Sequence, residues 1–327
     1  MSKRQKLSFL TFEDLPNEII LKIFKFLDIK GVLRCGKVSV RLRGISNDQS
    51  LWLKLNLYRK KVPFAFIENA VQNGCELLKL DFTCVTGGKK SEVPWKLKYL
   101  KICQPVLPVP WQPSVKLDVG VLQNCHFLQK LSIHDAMLTF ENGIEQICQN
   151  GGTLRILNLD ECIIDNIDNE TELIQKLFKK CSQLTELSIT GICFGSIPDI
   201  LNDQQICALF DNLTPNILKL NLKYQECVRD KHVNTLVRRC NKITDLSLTK
   251  ASITNDSVSS IIKHLKLLEK LDVSFTDIDI PTLGIQLKSI PTLKVLCCCS
   301  FYQEDAEEIK NLKLQLPHIS INARTPE

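Results

Sequence analysis

A Leu-x-x-Leu-x-Leu pattern returns along most of this chain, and few folds can accommodate it. It is clearest at residues 127–133 (FLQKLSI), 153–159 (TLRILNL), 183–189 (QLTELSI), 216–222 (NILKLNL), 242–248 (KITDLSL), 267–273 (LLEKLDV) and 292–298 (TLKVLCC). Looser copies lie at 77–82 and 96–102. The middle leucines are Leu80, Leu100, Leu131, Leu157, Leu187, Leu220, Leu246, Leu271 and Leu296, separated by 20, 31, 26, 30, 33, 26, 25 and 25 residues. A fixed period of this size marks a repeat architecture. The spacing directs apolar side chains inward along a short strand and leaves the residues between them facing out. Helical stretches, 172–180, 233–239, 257–265 and 305–312, fall between the strands. One repeat cannot bury its own apolar face, but stacked repeats share a continuous core. The expected fold is therefore an α/β solenoid over residues 76–322, with parallel strands on the concave face and helices on the convex one. Its last strand is expected within 316–322, followed by a tail at 323–327.

Cysteine supports the same periodicity. Cys75, Cys125, Cys181 and Cys240 each precede a strand, and Cys162 follows one. The marks resemble the cysteine-containing subtype of leucine-rich repeats. All 15 cysteines are expected as free thiols, because no Cys-x-x-Cys pair occurs and a buried thiol packs as a small apolar group. No apolar run approaches the ~18–20 residues of a membrane helix, and residues 1–10 lack the pattern of a signal peptide. The expected location is the cytoplasm, the nucleus or both.

The first sixty residues differ from the rest. They hold 13 Lys/Arg against 5 Asp/Glu, whereas the remaining 267 residues hold 29 against 31. Outside this segment the chain carries no basic signal for nucleic acid. A basic tail (1–14) leads into 15–56, where apolar residues at helical spacing form three short helices, the first capped by Asp14. Residues 57–75 are expected to form a linking helix. About forty residues make a poor independent core, so helices this apolar require an outside partner. Leu15-Pro16-Asn17-Glu18-Ile19, Ile23-Phe24-Lys25-Phe26-Leu27, Val38-Ser39 and Asp48-Gln49-Ser50-Leu51-Trp52 resemble the F-box family, with Leu42 where an aromatic is usual. The resemblance implies a three-helix F-box that docks the Skp-type adaptor of a cullin–RING ubiquitin ligase. Its adaptor contacts would be Leu15, Pro16, Ile19, Ile20, Ile23, Phe24, Leu27, Leu33, Val38, Leu42, Leu51 and Trp52. It implies a protein target held on the repeats, no cofactor, and a monomer within the complex.

Outward strand positions define the expected target surface: Lys130, Ser132, His134, Asn158, Asp160, Glu186, Asn221, Lys223, Tyr224, Ser247, Lys250, Asp272 and Phe275. Ile156, Tyr224 and Phe275 are its apolar anchors, and aromatics are enriched in interface hot spots. Three irregular segments, 86–92, 105–113 around Trp111 and 195–203, are further candidates. Catalysis is not expected. No complete Gly-x-x-x-x-Gly-Lys-Ser/Thr phosphate loop occurs, because Val38 follows Gly31 to Lys37, and Cys297, Cys298 and Cys299 are expected in a strand, where thiols alternate faces. Two alternatives to a ligase receptor are an adaptor-bound scaffold and a small-ligand receptor of the plant-hormone type. The second would draw on Lys219, Lys223, Lys250 and Lys270, a stripe interrupted by Asp245 and Asp272.

Overall fold

The computed structural model describes residues 12–87, 91, 93–103, 121–139, 143–164, 169–194, 199–299 and 306–322. The 105–113 segment with Trp111 lies outside them, as do residues 1–11, 323–327 and parts of the other two irregular segments.

Four short helices open the chain: α1 (Asn17–Phe24), α2 (Ile29–Cys35), α3 (Val40–Ser46) and α4 (Gln49–Trp52). Asp28, Ser39 and Asp48 each accept a backbone N–H at a helix start, which satisfies donors that the helix cannot. Asp14 does not cap α1. It lies in a 3₁₀ turn, and Pro16 occupies the cap position without a side-chain bond. The private core of this unit is small: Ile20, Phe24, Val32 and Ile45. Leu51 packs against both this core and the next, and Trp52 belongs wholly to the next. The Trp52 indole donates to the Ser46 carbonyl at 2.8 Å, and its ring meets Phe66 edge-on. A weak helical unit is thereby joined to a large core through one buried tryptophan.

That larger core lies beneath an eleven-stranded parallel sheet whose strands stack in chain order. They are β1 (Lys54–Asn56), β2 (Leu77–Lys79), β3 (Tyr99–Cys103), β4 (Lys130–His134), β5 (Ile156–Asn158) and β6 (Glu186–Ser188), then β7 (Lys219–Asn221), β8 (Asp245–Ser247), β9 (Lys270–Asp272), β10 (Val295–Cys297) and β11 (Ser320–Ile321). The central leucines stand in register from Leu55 through Leu78, Leu100, Leu131 and Leu157 to Leu296. From Leu55 to Leu296 each is at most 2% exposed, and complete burial of a leucine contributes roughly 1.5–3 kcal/mol. Helices line the other side: α5 (Phe64–Gln72), α6 (Glu145–Asn150), α7 (Glu170–Lys180), α8 (Asp203–Asn212), α9 (Asp230–Arg239), α10 (Asn255–His264), α11 (Ile280–Leu287) and α12 (Ala306–Gln315). From α6 onward each packs on the next.

Two expectations about register and extent need correcting. Leu78, not Leu80, aligns with Leu100. The two leucines are two residues apart and therefore share a face, so alternation alone cannot choose between them. The sheet also starts earlier than residue 76, because Lys54–Asn56 pairs with Leu77–Lys79.

A second regularity has no leucine signal. After the strands the chain turns through the left-handed region at Arg59, Phe82, Asp135, Glu161, Gly191, Tyr224, Lys250 and Phe275, with φ between 53° and 64°. Each N–H there donates to a carbonyl of the following repeat, as from Asp135 to Asp160 (3.2 Å), Tyr224 to Thr249 (2.9 Å) and Phe275 to Cys299 (2.7 Å). The conformation is unfavourable for side chains other than glycine, and the interstrand bond offsets that cost.

Buried polar groups bind the repeats laterally. Asn150 is 1% exposed. Its amide donates to the carbonyls of Cys125 (2.7 Å) and Gln146 (2.9 Å), and its oxygen accepts the Leu128 N–H at 3.0 Å. Asn150→Ala orphans these groups and is expected to cost about 2–4 kcal/mol of stability, measured by urea unfolding. Asn150→Asp keeps the acceptor but sets a buried carboxylate oxygen against the Cys125 and Gln146 carbonyls, and should cost at least as much.

Candidate functional site

The helical unit divides its apolar residues between two faces. Ile20, Phe24 and Trp52 are buried, so they hold the unit together and are not available as contact residues. This corrects their assignment to the adaptor surface. Leu15, Leu42 and Leu51 are half-buried and pack against the private core. Pro16, Ile19, Ile23, Leu27, Leu33 and Val38 are exposed. Phe26 (91%) and Val40 (82%) are more exposed still, and the motif alone does not single them out. The Arg41 side chain donates to the Leu15 carbonyl at 2.6 Å and the Asn17 side chain at 2.9 Å, which ties the start of α1 to α3. So many large apolar groups on one short segment form a patch characteristic of a binding surface.

The outward strand residues line one shallow depression of about 440 Å³, running from Tyr99 to Cys297. It gathers Lys130, Ser132, His134, Asn158, Glu186, Asn221, Lys223, Ser247 and Asp272. Asp160, Tyr224, Lys250 and Phe275 do not line it and belong to its rim. Ser132 and Ser247 are buried, because these short hydroxyl side chains sit between longer neighbours.

The floor neutralises its own charge. Glu186, Lys219, Asp245 and Lys270 are register partners on four successive strands. Lys219 stands 2.8 Å from Glu186 and Lys270 stands 3.8 Å from Asp245. Lys223 reaches across to Asp272 at 3.1 Å. Lys130 and Lys250 lie over the rings of Tyr99 and Tyr224, each 5.0 Å from the centroid. These pairings are invisible in the one-dimensional pattern, because each joins residues about one repeat or more apart.

The buried thiols of the repeats are held in their protonated state. Burial pushes Cys75 up to about 11 and Cys162, Cys181 and Cys298 up to about 12. A thiolate nucleophile needs the opposite shift. In the triplet only Cys297, half-buried, lies in β10; Cys298 is buried and Cys299 exposed just beyond the strand's end, which corrects the expectation that all three lie in a strand.

On the convex side Asp203, Cys207 and His232 place potential ligand atoms within 4.8 Å of one another. The proton on His232 argues against their use as ligands. Nδ1 of His232 accepts the Arg229 N–H at 3.1 Å, so Nε2 carries the hydrogen and has no lone pair to give a metal. Nε2 lies 3.1 Å from an Asp203 oxygen, and Lys231 holds that carboxylate at 2.6 Å. The group caps α9.

His134 and His232 both titrate below the ordinary imidazole value of 6.5, chiefly through burial, with nearby carboxylates opposing the shift. Each therefore binds its proton less readily folded than unfolded. Their contribution to stability is complete above 6.5 and is lost as the pH falls below it. Urea midpoints should decline from about pH 7.5 to 5.5, and His134→Gln with His232→Gln should flatten the decline. An unchanged slope in the double variant would contradict this.

An F-box-like family model matches residues 12–58. The chain is 24% identical over 279 residues to F-box protein dre-1 of Caenorhabditis elegans, covering 80% of this chain but 28% of that protein. It is 22% identical over 292 residues to F-box/LRR-repeat protein 12 of Bos taurus, covering 88% of this chain and 78% of the relative. The Homo sapiens protein of that name matches at 22% over 293 residues with the same coverage, 88% and 78%. Among solved structures, an internalin (inlF) from Listeria monocytogenes superposes loosely, with a TM-score of 0.42, 16% identity and 69% of each chain covered. The chain carries an N-terminal F-box-like domain followed by a leucine-rich-repeat solenoid, and in that order of parts it is similar to the F-box/leucine-rich-repeat proteins.

Proposed function

We propose that this chain is the target-recognition subunit of an SCF-type cullin–RING ubiquitin ligase. Its F-box-like domain docks a Skp-type adaptor, and the concave face of the repeats holds a protein target. The observation that carries this is the exposed apolar set on α1, α2 and the turn between them, namely Ile19, Ile23, Leu27 and Leu33, on a domain whose own core is only a few side chains. The basic surplus of the first sixty residues suits an acidic adaptor and favours rapid association. The chain would contribute no chemistry of its own. It would act by holding the target near a charged ubiquitin-conjugating enzyme, which turns an encounter into a proximity effect. Trp52 and Leu51 serve that role by fixing the docking domain to the solenoid, so that the target presents in a constant direction. Free thiols throughout the described residues suit a reducing compartment such as cytoplasm or nucleus. Within the complex the chain would act as a monomer, without a cofactor.

The small-ligand alternative is disfavoured by the pairing of Lys219, Lys223 and Lys270 with carboxylates. An anionic metabolite would first have to break those pairs. A scaffold would dock the adaptor in the same way and differ from a ligase receptor only in leaving its target unmodified.

Affinity purification of the full chain is expected to recover adaptor and cullin together. Ile19→Ala, Ile23→Ala and Leu27→Ala in one chain should abolish recovery of both while leaving the thermal melt of the repeats unchanged, since these side chains lie outside the core. Cullin still bound to the triple variant would overturn the docking assignment. Target ubiquitination that is lost with docking separates the ligase from the scaffold.

A further inference from the structure

The rim beyond the strands divides by charge. At its first end Tyr58 and Phe82 meet edge-to-face at 5.6 Å, with the Arg59 guanidinium 5.1 Å and 5.6 Å from their ring centroids. Toward the other end Lys250 lies over Tyr224. Between these two cationic and aromatic platforms stand Asp135, Asp160 and Glu161. Lys101, Lys219, Lys223 and Lys270 on the adjoining floor each have a carboxylate partner. The three rim carboxylates have no cationic partner among the described residues.

What they do contact is neutral. Asp160 accepts the hydroxyl of Ser188 (2.6 Å), the Asn158 amide (2.8 Å) and the Thr190 N–H (2.8 Å), and the Cys103 thiol faces Asp135 at 3.8 Å. Burial holds the Glu161 carboxyl above its ordinary range, and repulsion from Asp135 and Asp160 adds to it. A fourth group points to something absent. Thr190 stands at the outward position aligned with Asp160, is only 9% exposed, and its hydroxyl has no hydrogen-bond partner. The next residue, Gly191, adopts φ +56°, and a Cβ there would come 2.7 Å from a Glu161 oxygen. The missing side chain leaves that carboxylate room on the rim.

We propose that this stretch of rim, beyond β4 to β6, receives a lysine or arginine side chain of the target. This rests on the concave face being the target site. Charge selects the partner, because a cation relieves the carboxylate repulsion that the chain itself leaves unrelieved. Shape selects it further. The three carboxylates are not among the groups whose ligand atoms gather within 4.8 Å, so a bare metal ion is poorly served. A guanidinium fork, or an ammonium on a flexible stem, can reach separated oxygens through several charge-assisted hydrogen bonds.

The test uses a phage-displayed library of short random peptides, panned against the full chain with a soluble adaptor-capture assay in parallel. Selected peptides are expected to carry Lys or Arg. Asp135→Asn with Glu161→Gln should weaken them about tenfold, and its melting temperature should be no lower than that of the parent chain, since repulsion has been removed. Asp160 is left intact because it anchors Ser188 and Thr190. Binding that is equally tight in the double variant overturns the proposal. So does a library that yields acidic peptides, neutral peptides or none. In those cases intact adaptor capture shows that the docking assignment stands and only the rim assignment falls. Failed capture by the parent chain removes the docking assignment, whatever the peptides do.

Discussion

The register of one leucine per strand is the constraint on which everything else depends. From Leu55 to Leu296 these side chains form a continuous row in which each is buried by those before and after it. No repeat closes its own apolar face, so stability accumulates between neighbours. Once that row is fixed, the alternate residues must point the other way, and the depression from Tyr99 to Cys297 results. The left-handed turns have the same origin, because each lets the chain leave its strand while still donating to the next repeat.

The same core compensates for the weakness of the docking domain. Four side chains form its private core, too few for helices this short to stand alone. Burial of Trp52 in the solenoid core and the straddling position of Leu51 draw stability from the repeats. This leaves α1 and α2 free to keep large apolar groups in solvent. A domain that had to fold alone would have to turn Ile19, Ile23 and Leu27 inward. Because it leans on the solenoid, it can reserve them for a partner.

Much of this was legible in the sequence because strand burial has a period of two and the repeats a period near 25. The solenoid, its helices and the outward set from Lys130 to Phe275 all come from those periods. The misplacements have equally physical origins. Leu78 and Leu80 share a face, so the pattern could not choose between them. Lys54–Asn56 lacks the full leucine signature yet completes the sheet at its first edge. Phe24 belongs to the F-box motif on the same terms as Ile19 and Ile23, Ile20 adjoins it, and only packing separates core from surface. The left-handed turns carry glycine at Gly191 alone among the described positions, so the usual marker was missing. The pairing of Lys223 with Asp272 spans two strands and required the third dimension.

On the proposed reading the two ends of the molecule do different work: the helices would engage the adaptor, and the concave face and rim would stay open for a target. Hydrogen–deuterium exchange of the full chain with and without a Skp-type adaptor tests this division most directly. Slowed exchange confined to residues 15–46, with the strands from Lys130–His134 to Lys270–Asp272 unchanged, is the predicted result. Protection along those strands, or none in the helices, would contradict it.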